Sequence, residues 1–417
     1  MFFLYRIIIN TIFILSPIII FIRLLKQKES LYRFKEKFSL NSKKRTKGKL
    51  IWFHGASVGE IKSVLPLIEK IEKNKKVTQI LITSNTISSS KILQNIKSKK
   101  IVHQFFPIDT IFLCRKFLAY WKPSLVFFID SEIWPNMINC TSKKKIPITL
   151  LNARISRKTF NRWRNFPVFS KEIFSKLKLC FSSDNKSKLY LSKLGVKNIK
   201  TFGNLKFSQS EYENIKVSSK LKNFIKKKKV WCASSTHYPE ELLCARVHKK
   251  LNRKYKNLLT IIIPRHVERI TKIKNDIDNL GLNVHFDSSS SKIDKNTDIY
   301  IVNSYGKTKS FYNVCKHVYL GGSIIDHGGQ NPLEAARFGC KILHGPNVFN
   351  FTEIYKFLKI NNISQKIYDQ KTLSNALLKL FSRNNSSTNI KKRINNIGEK
   401  VLTKTYNEIF STFRNEI

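Results

Sequence analysis

Residues 50–83 read LIWFHGASVGEIKSVLPLIEKIEKNKKVTQILIT. Leu50–His54 is a short apolar and aromatic run without polar alternation, the pattern of a strand buried on both faces. Gly55, Ala56 and Ser57 then allow a tight turn. Glu60–Lys73 places Ile61, Val64, Leu65, Ile68 and Ile71 on one face at helical spacing. Gln79–Thr83 is a second apolar run. A strand, a helix and a strand in that order make a βαβ unit.

The same alternation continues in both directions along the chain. Further strand candidates are Val102–Phe106, Leu125–Ile129 and Ile146–Leu151. A second series begins near residue 230, with Val230–Ala233, Leu258–Ile263, Asn283–Phe286, Asp298–Val302, Val318–Leu320 and Lys341–Leu343. Its helix candidates include Pro239–Lys254, Thr308–Cys315 and Pro332–Phe338. At 417 residues the chain is long enough for two or three domains. The pattern predicts an α/β fold of two Rossmann-like doubly wound domains facing each other across a cleft. The expected boundaries are an N-terminal anchor at 1–25, a first domain at 48–207, a Lys-rich connection at 208–229 and a second domain at 230–417.

Met1–Ile22 is almost wholly apolar, with 16 uncharged residues between Arg6 and Arg23. As a helix those 16 residues cover about 24 Å, short of a hydrocarbon core of roughly 30 Å. Counting Met1–Tyr5, with Arg6 snorkelling, makes a span possible. No small-residue cleavage site follows, which argues against a removed signal peptide. Arg23, Lys26, Lys28, Arg33, Lys35 and Lys37 follow, a positive flank expected on the cytoplasmic side, against an anionic leaflet.

Lys and Arg number 77 against 27 Asp and Glu, a net charge of +50. Lys, Ile, Asn and Phe are abundant together, the composition of an A+T-rich genome, and a lysine-rich solvated surface follows from that alone. Attraction to a polyanion, a membrane face or nucleic acid, is the functional alternative. The seven cysteines form no CxxC, which argues against a disulfide framework or a structural zinc site.

Chemistry-bearing residues gather behind the strands. Glu60 falls at a helix start, either as a general base or as a first-turn acid favoured by the helix dipole. Asp130, Ser131, Glu132, Ile133, Trp134, Pro135 and Asn136 follow Leu125–Ile129, as a polar cluster facing substrate, a poor DxD-like metal site or a helix cap. Arg154 suits an anion or a pairing with Asp130 or Glu132. Asp276 and Asp278 form a literal DxD on a solvated helix face. In the second series, Ser234–His237 and Pro264, Arg265 and His266 follow strands and suit an anion or phosphate. Gly306-Lys307-Thr308 mimics the end of a P-loop, but Ile301 stands where that motif needs glycine. The densest stretch is GGSIIDHGGQNPLE at 321–334. Its glycines permit close backbone approach, and Asn331 and Pro332 precede a helix that carries Leu333 and Glu334.

HGASVGE, DSEIWPN, NARIS, GNLKF, SSTHYPEE, PRHVER and GGSIIDHGGQNPLEAA, in this order and behind an N-terminal anchor, resemble the 3-deoxy-D-manno-octulosonic acid (Kdo) transferase family over nearly the whole chain. The resemblance implies a GT-B glycosyltransferase that moves Kdo from CMP-Kdo to a lipid A precursor at the inner membrane, with no metal or other cofactor and no nucleic-acid partner. It implies Glu60 as general base, with Asp130 and Lys206 stabilising the transition state. CMP would be bound by Pro264, Arg265, Gly306, Lys307, Thr308, Asn331, Pro332, Leu333 and Glu334. The chain departs from the family where Asp130 replaces the usual glutamate and where Lys307 replaces an acidic residue. Restoring glutamate at position 130 is expected from the sequence to be neutral or favourable. The alternatives are a GT-B enzyme of another nucleotide sugar, an inactive descendant, and a non-enzymatic polyanion- or membrane-binding protein.

Overall fold

The computed structural model of the chain describes residues 1–417 other than 95, 97, 210–216, 290–291 and 383–386, with side chains left aside at 387–388. Its contacts divide into two compact units, Met1–Ser210 with Ile397–Ile417, and Glu211–Asn396.

The first unit holds a seven-stranded parallel sheet. Its strands are β1 (Lys49–His54), β2 (Val77–Ser84), β3 (Ile101–Phe105), β4 (Leu125–Ile129), β5 (Ile148–Ala153), β6 (Leu179–Ser182) and β7 (Ile199–Lys200). They lie in the order β3-β2-β1-β4-β5-β6-β7, so the winding reverses between β1 and β4. Neighbouring residues of β1 serve opposite faces. Leu50 and Trp52 pack with Phe117, Trp121 and Phe128, while Ile51 and Phe53 pack with Ile61, Val64, Ile68 and Phe127. That is why the strand reads as an unbroken apolar run. Each such side chain contributes about 1.5–3 kcal/mol when fully buried. The helix α2 (Val58–Glu72) begins two residues ahead of its expected start, because Ser57 accepts the Glu60 amide and caps it.

The second unit repeats the plan with β8 (Lys229–Thr236), β9 (Leu258–Pro264), β10 (Val284–Phe286), β11 (Ile299–Ile301), β12 (His317–Leu320), β13 (Lys341–His344) and β14 (Ser364–Lys366). The order is β10-β11-β9-β8-β12-β13-β14, again wholly parallel, with the reversal between β8 and β12. Open α/β sheets bind ligands at the carboxyl ends of the strands on either side of such a reversal.

Two expected boundaries need correcting. The second domain does not extend to residue 417. The last helix, Ser387–Thr412, leaves it near Asn396, and Val401, Leu402, Ile409 and Phe413 are buried in the core of the first unit. Gly398 makes this packing possible, since a Cβ there would lie 2.3 Å from the Phe207 carbonyl oxygen. Of the expected connection at 208–229, residues 210–216 lie outside the described residues. Ser219–Lys226 is a capped helix with Leu221 and Ile225 buried, because its apolar residues are four apart.

Near the start of the chain, α1 (Phe2–Leu25) is one continuous helix, long and apolar enough to cross a membrane. All seven cysteines are unpaired and buried.

Candidate functional site

The reversal in the first sheet places the residues after β1 beside those after β4, since β1 and β4 pair directly. Glu60, in the first turn of α2, belongs to a capping box. Its carboxylate accepts from the Ala56 amide at 2.6 Å and the Ser57 amide at 3.3 Å. Glu60 thus caps its helix, as the first-turn reading expected, and it also stands near the carboxylates of Glu132 and Asp130. Burial, then the negative charges of Glu132 and Asp130, push its carboxyl above the ordinary range. Gly55 permits the close fit, as a Cβ there would stand 3.2 Å from the Glu60 Cβ.

Asp130 does not cap a helix. The helix that follows, Pro135–Lys143, begins after Trp134 without a side-chain cap. Asp130 instead sits in the left-handed region at φ +56°, just beyond β4. Its Oδ2 accepts from Lys206 Nζ at 3.0 Å and its Oδ1 from Asn152 Nδ2 at 2.5 Å. Both members of the ion pair are largely buried. Asn152, in β5, also accepts the Leu205 amide through Oδ1 at 2.9 Å. One side chain thus ties Asp130 to the Leu205–Ser208 turn that carries Lys206. Nothing in the sequence pattern marks Asn152 for this role.

Glu132 is held by a second network. Trp134 Nε1 donates to it at 2.8 Å, and His54 Nε2 lies 3.2 Å away. His54 is fully buried, and that burial lowers its pKa, partly offset by Glu132. Trp52 donates to Thr83 Oγ1, whose hydroxyl lies 2.9 Å from His54 Nδ1. The neutral tautomer with the proton on Nε2 satisfies every partner in this chain. Arg154 stands apart: its side chain is exposed and pairs with neither carboxylate.

At the reversal in the second sheet, β8 ends at Thr236 and β12 leads into the glycine-rich loop. The organiser there is Glu240, which is almost fully buried. Its two oxygens accept from the His237 amide at 3.0 Å, the Tyr319 hydroxyl at 2.6 Å and the amides of Gly322, Ser323 and Ile324 at 2.7, 3.1 and 3.1 Å. Gly321 is required by this packing, since a Cβ would come within 2.6 Å of the Ser235 carbonyl oxygen. The loop closes through the Gly329 amide on the Gly322 carbonyl at 2.7 Å.

Around the loop stands a basic group. Pro264 ends β9, and the Arg265 amide bonds to the Thr236 carbonyl, with the guanidinium exposed. The His237 ring lies 4.3 Å from that of His327 and 5.4 Å from that of His266, centroid to centroid. Its Nε2 is buried without a partner. Burial, then His327, lowers the His237 pKa. Exposed Arg265 and a pocket of imidazoles suit an anionic ligand.

The other expected nucleotide residues are placed as follows. Asn331 caps its own turn, accepting the Leu333 amide at 3.1 Å, and the helix is only Leu333–Arg337. Pro332 and Leu333 are buried and Glu334 is half-buried near the Tyr312 hydroxyl, which bonds to Ser234 at 2.8 Å. Gly306 (φ +86°) and Lys307 precede the short helix Thr308–Tyr312, and Lys307 Nζ lies 2.5 Å from Asp287 Oδ2. The lysine that departs from the family pattern is thereby matched by a carboxylate from the end of β10. Among the described residues no group of three or more His, Cys, Asp or Glu could hold a metal ion, and Asp278 pairs with Lys274 on its helix.

A family model described as 3-deoxy-D-manno-octulosonic-acid transferase matches residues 32–209. A 3-deoxy-D-manno-octulosonic acid transferase of Rickettsia bellii is 35% identical over 382 residues, covering 90% of each chain. Its counterpart in Rickettsia prowazekii is 32% identical over 96% of this chain and 98% of that one. The chain belongs to the Kdo transferase family. It is a glycosyltransferase, and the motif likeness in its sequence is a family relationship. A UDP-GlcNAc 2-epimerase from Neisseria meningitidis, 14% identical, superposes with a TM-score of 0.58 over 85% of this chain and all of that one, a likeness of GT-B fold alone. Within a Kdo transferase, the Asp130–Lys206 pair and the Glu240-ordered loop are the two structures that sequence motifs mark without explaining.

Proposed function

We propose that the chain transfers Kdo from CMP-Kdo to a hydroxyl of a lipid A precursor, with inversion and without a metal, on the cytoplasmic face of the inner membrane. The observation that carries this reading is Glu60, a half-buried carboxylate of raised pKa at the reversal of the first sheet. A base of that kind suits a sugar hydroxyl, because its pKa lies nearer the working pH than an ordinary carboxylate's. Glu60 takes the hydroxyl proton as the acceptor oxygen bonds to the anomeric carbon of Kdo. The bond from that carbon to the CMP phosphate breaks, and CMP leaves with the electron pair. Lys206, oriented by Asp130, supplies positive charge where charge develops.

The second unit takes the donor. Arg265, the cluster of His237, His266 and His327, and the amides of the glycine loop offer charge and N–H groups to phosphate and carboxylate, so a departing CMP needs no acid. Gly306–Thr308 and Asn331–Glu334 complete the expected contacts. The apolar α1 and its basic flank would hold the enzyme at the membrane where an anionic lipid acceptor lies.

The test is transfer from CMP-Kdo, prepared beforehand and freed of metal, to tetra-acylated lipid A precursor in detergent, with and without chelator, read by mass spectrometry. A mass gain of one or more Kdo units, lost in Glu60→Gln, is expected. Folded enzyme that gives no gain beside a working control would overturn the reading, and a gain abolished by chelator would overturn its metal-free part.

A further inference from the structure

The helix α1 touches the body of the first unit in its first, middle and last turns. Phe2 and Tyr5 pack against Phe169 with ring centroids 5.5 and 6.4 Å apart. Phe13 meets Phe38 at 6.1 Å, Ser16 and Ile20 are buried, and Arg23 pairs with Glu29 at 3.1 Å. With Ile9, which is only half-exposed, these positions recur every three or four residues, so one stripe of the helix faces the body. The opposite face is Phe3, Ile7, Ile14, Ile18, Phe21 and Leu25, between 46% and 75% exposed.

A helix that crosses a bilayer needs lipid or other membrane-embedded protein around it through roughly 30 Å of hydrocarbon. This helix has the α/β body of the first unit against one side in its first, middle and last turns. Lys26 and Lys28, both exposed, follow the last turn and match anionic headgroups.

We propose that α1 does not cross the membrane but lies flat in one leaflet of a bilayer bearing anionic lipid, with its Phe3–Leu25 face sunk among the acyl chains. This rests on the reading of α1 as a membrane element and specifies how it engages. The structure also links it to the acidic cluster. The Tyr5 hydroxyl donates to the buried Asp109 carboxylate at 2.6 Å, and the same carboxylate accepts the Asn136 and Met137 amides at 3.0 and 2.8 Å. Those amides open the helix that directly follows Asp130–Trp134. The docked helix therefore sets the depth at which that segment meets the leaflet.

The test uses full-length protein on vesicles of phosphatidylethanolamine and phosphatidylglycerol. Because the native cysteines are buried, single cysteines at Phe3, Ile14, Ile18 and Leu25 can be labelled selectively with a fluorophore and quenched by lipids brominated at known depths. A flat helix places all four at one shallow depth, about 5–10 Å into the headgroup and acyl boundary. Ser16→Cys, facing the body, stays unlabelled. Depths that run from one headgroup region through the bilayer centre to the other, with Ser16→Cys labelled, would overturn the flat placement while leaving membrane association intact. Failure to float with the vesicles would overturn the membrane reading itself, and a dimer that hides all four labels would assign the face to a second copy.

Discussion

Lys206 Nζ and Asp130 Oδ2 lie 3.0 Å apart, and Asn152 bonds to both the carboxylate and the turn that carries the lysine. The pair is therefore built from three separate chain segments, after β4, within β5 and at Leu205–Ser208. Its geometry depends on the sheet more than on either residue alone.

Glu60→Gln removes the base but keeps an oxygen that can accept the Ala56 amide, so the cap survives. Transfer is expected to fall by about 10²–10⁴-fold, the usual contribution of a general base. CMP affinity and the unfolding midpoint should hardly move. Single-turnover transfer and CMP titration on the same preparation check this, and a variant that turns over at the wild-type rate would remove Glu60 from the mechanism.

Lys206→Met takes the cation from a cluster of three carboxylates. Glu60 must be ionised to accept a proton, and its raised pKa means that activity is lost as pH falls through a value above the ordinary carboxylate range. Without Lys206 the cluster loses its cation and the proton is held more tightly, so the acid limb of kcat/KM should move to higher pH, in addition to a lower plateau. A pH–rate profile decides between this and a purely structural lysine, which would lower the plateau and leave the limb in place.

Both sheets could be read from the sequence because their strands are buried on both faces and so appear as apolar runs. The strands β6, β7 and β14 escaped because they are two to four residues long and set among polar ones. The return of the last helix to the first unit could not be read locally, since its burial depends on a surface formed nearly 350 residues earlier. Glu60, Asp130 and the glycine loop stand at strand ends, where position alone suggests chemistry. Glu240 carries no such local signal, because its five hydrogen bonds exist only where β12 lies beside β8.

Glu240→Gln tests that role. An amide offers one acceptor oxygen and turns an NH₂ toward backbone N–H groups, leaving buried donors unsatisfied at about 1–3 kcal/mol each. The second unit should melt earlier, and CMP should bind more weakly because the loop from Gly321 to Ile324 loses its template. Calorimetry with CMP titration checks both effects; unchanged CMP binding in a destabilised protein would confine Glu240 to folding.

Asp130→Glu is expected to slow transfer, the reverse of what the family pattern alone suggested. The short carboxylate already reaches Lys206 and Asn152, and position 130 lies at φ +56°, which aspartate tolerates better than glutamate. An added methylene must push one partner away. If Asp130→Glu matches or exceeds the wild-type rate, the site retains room for the longer side chain.

Asn152 separates backbone strain from hydrogen bonding. It also sits in the left-handed region, at φ +54°, where alanine costs about 1–2 kcal/mol and glycine almost nothing. Asn152→Ala should lose both stability and turnover. Asn152→Gly should regain much of the stability but none of the turnover, because neither variant can bond Asp130 or the Leu205 amide. Thermal melts beside kcat for the two variants give the answer. Recovery of kcat in the glycine variant would mean that the side chain serves the backbone conformation alone, and that Lys206 finds Asp130 without it.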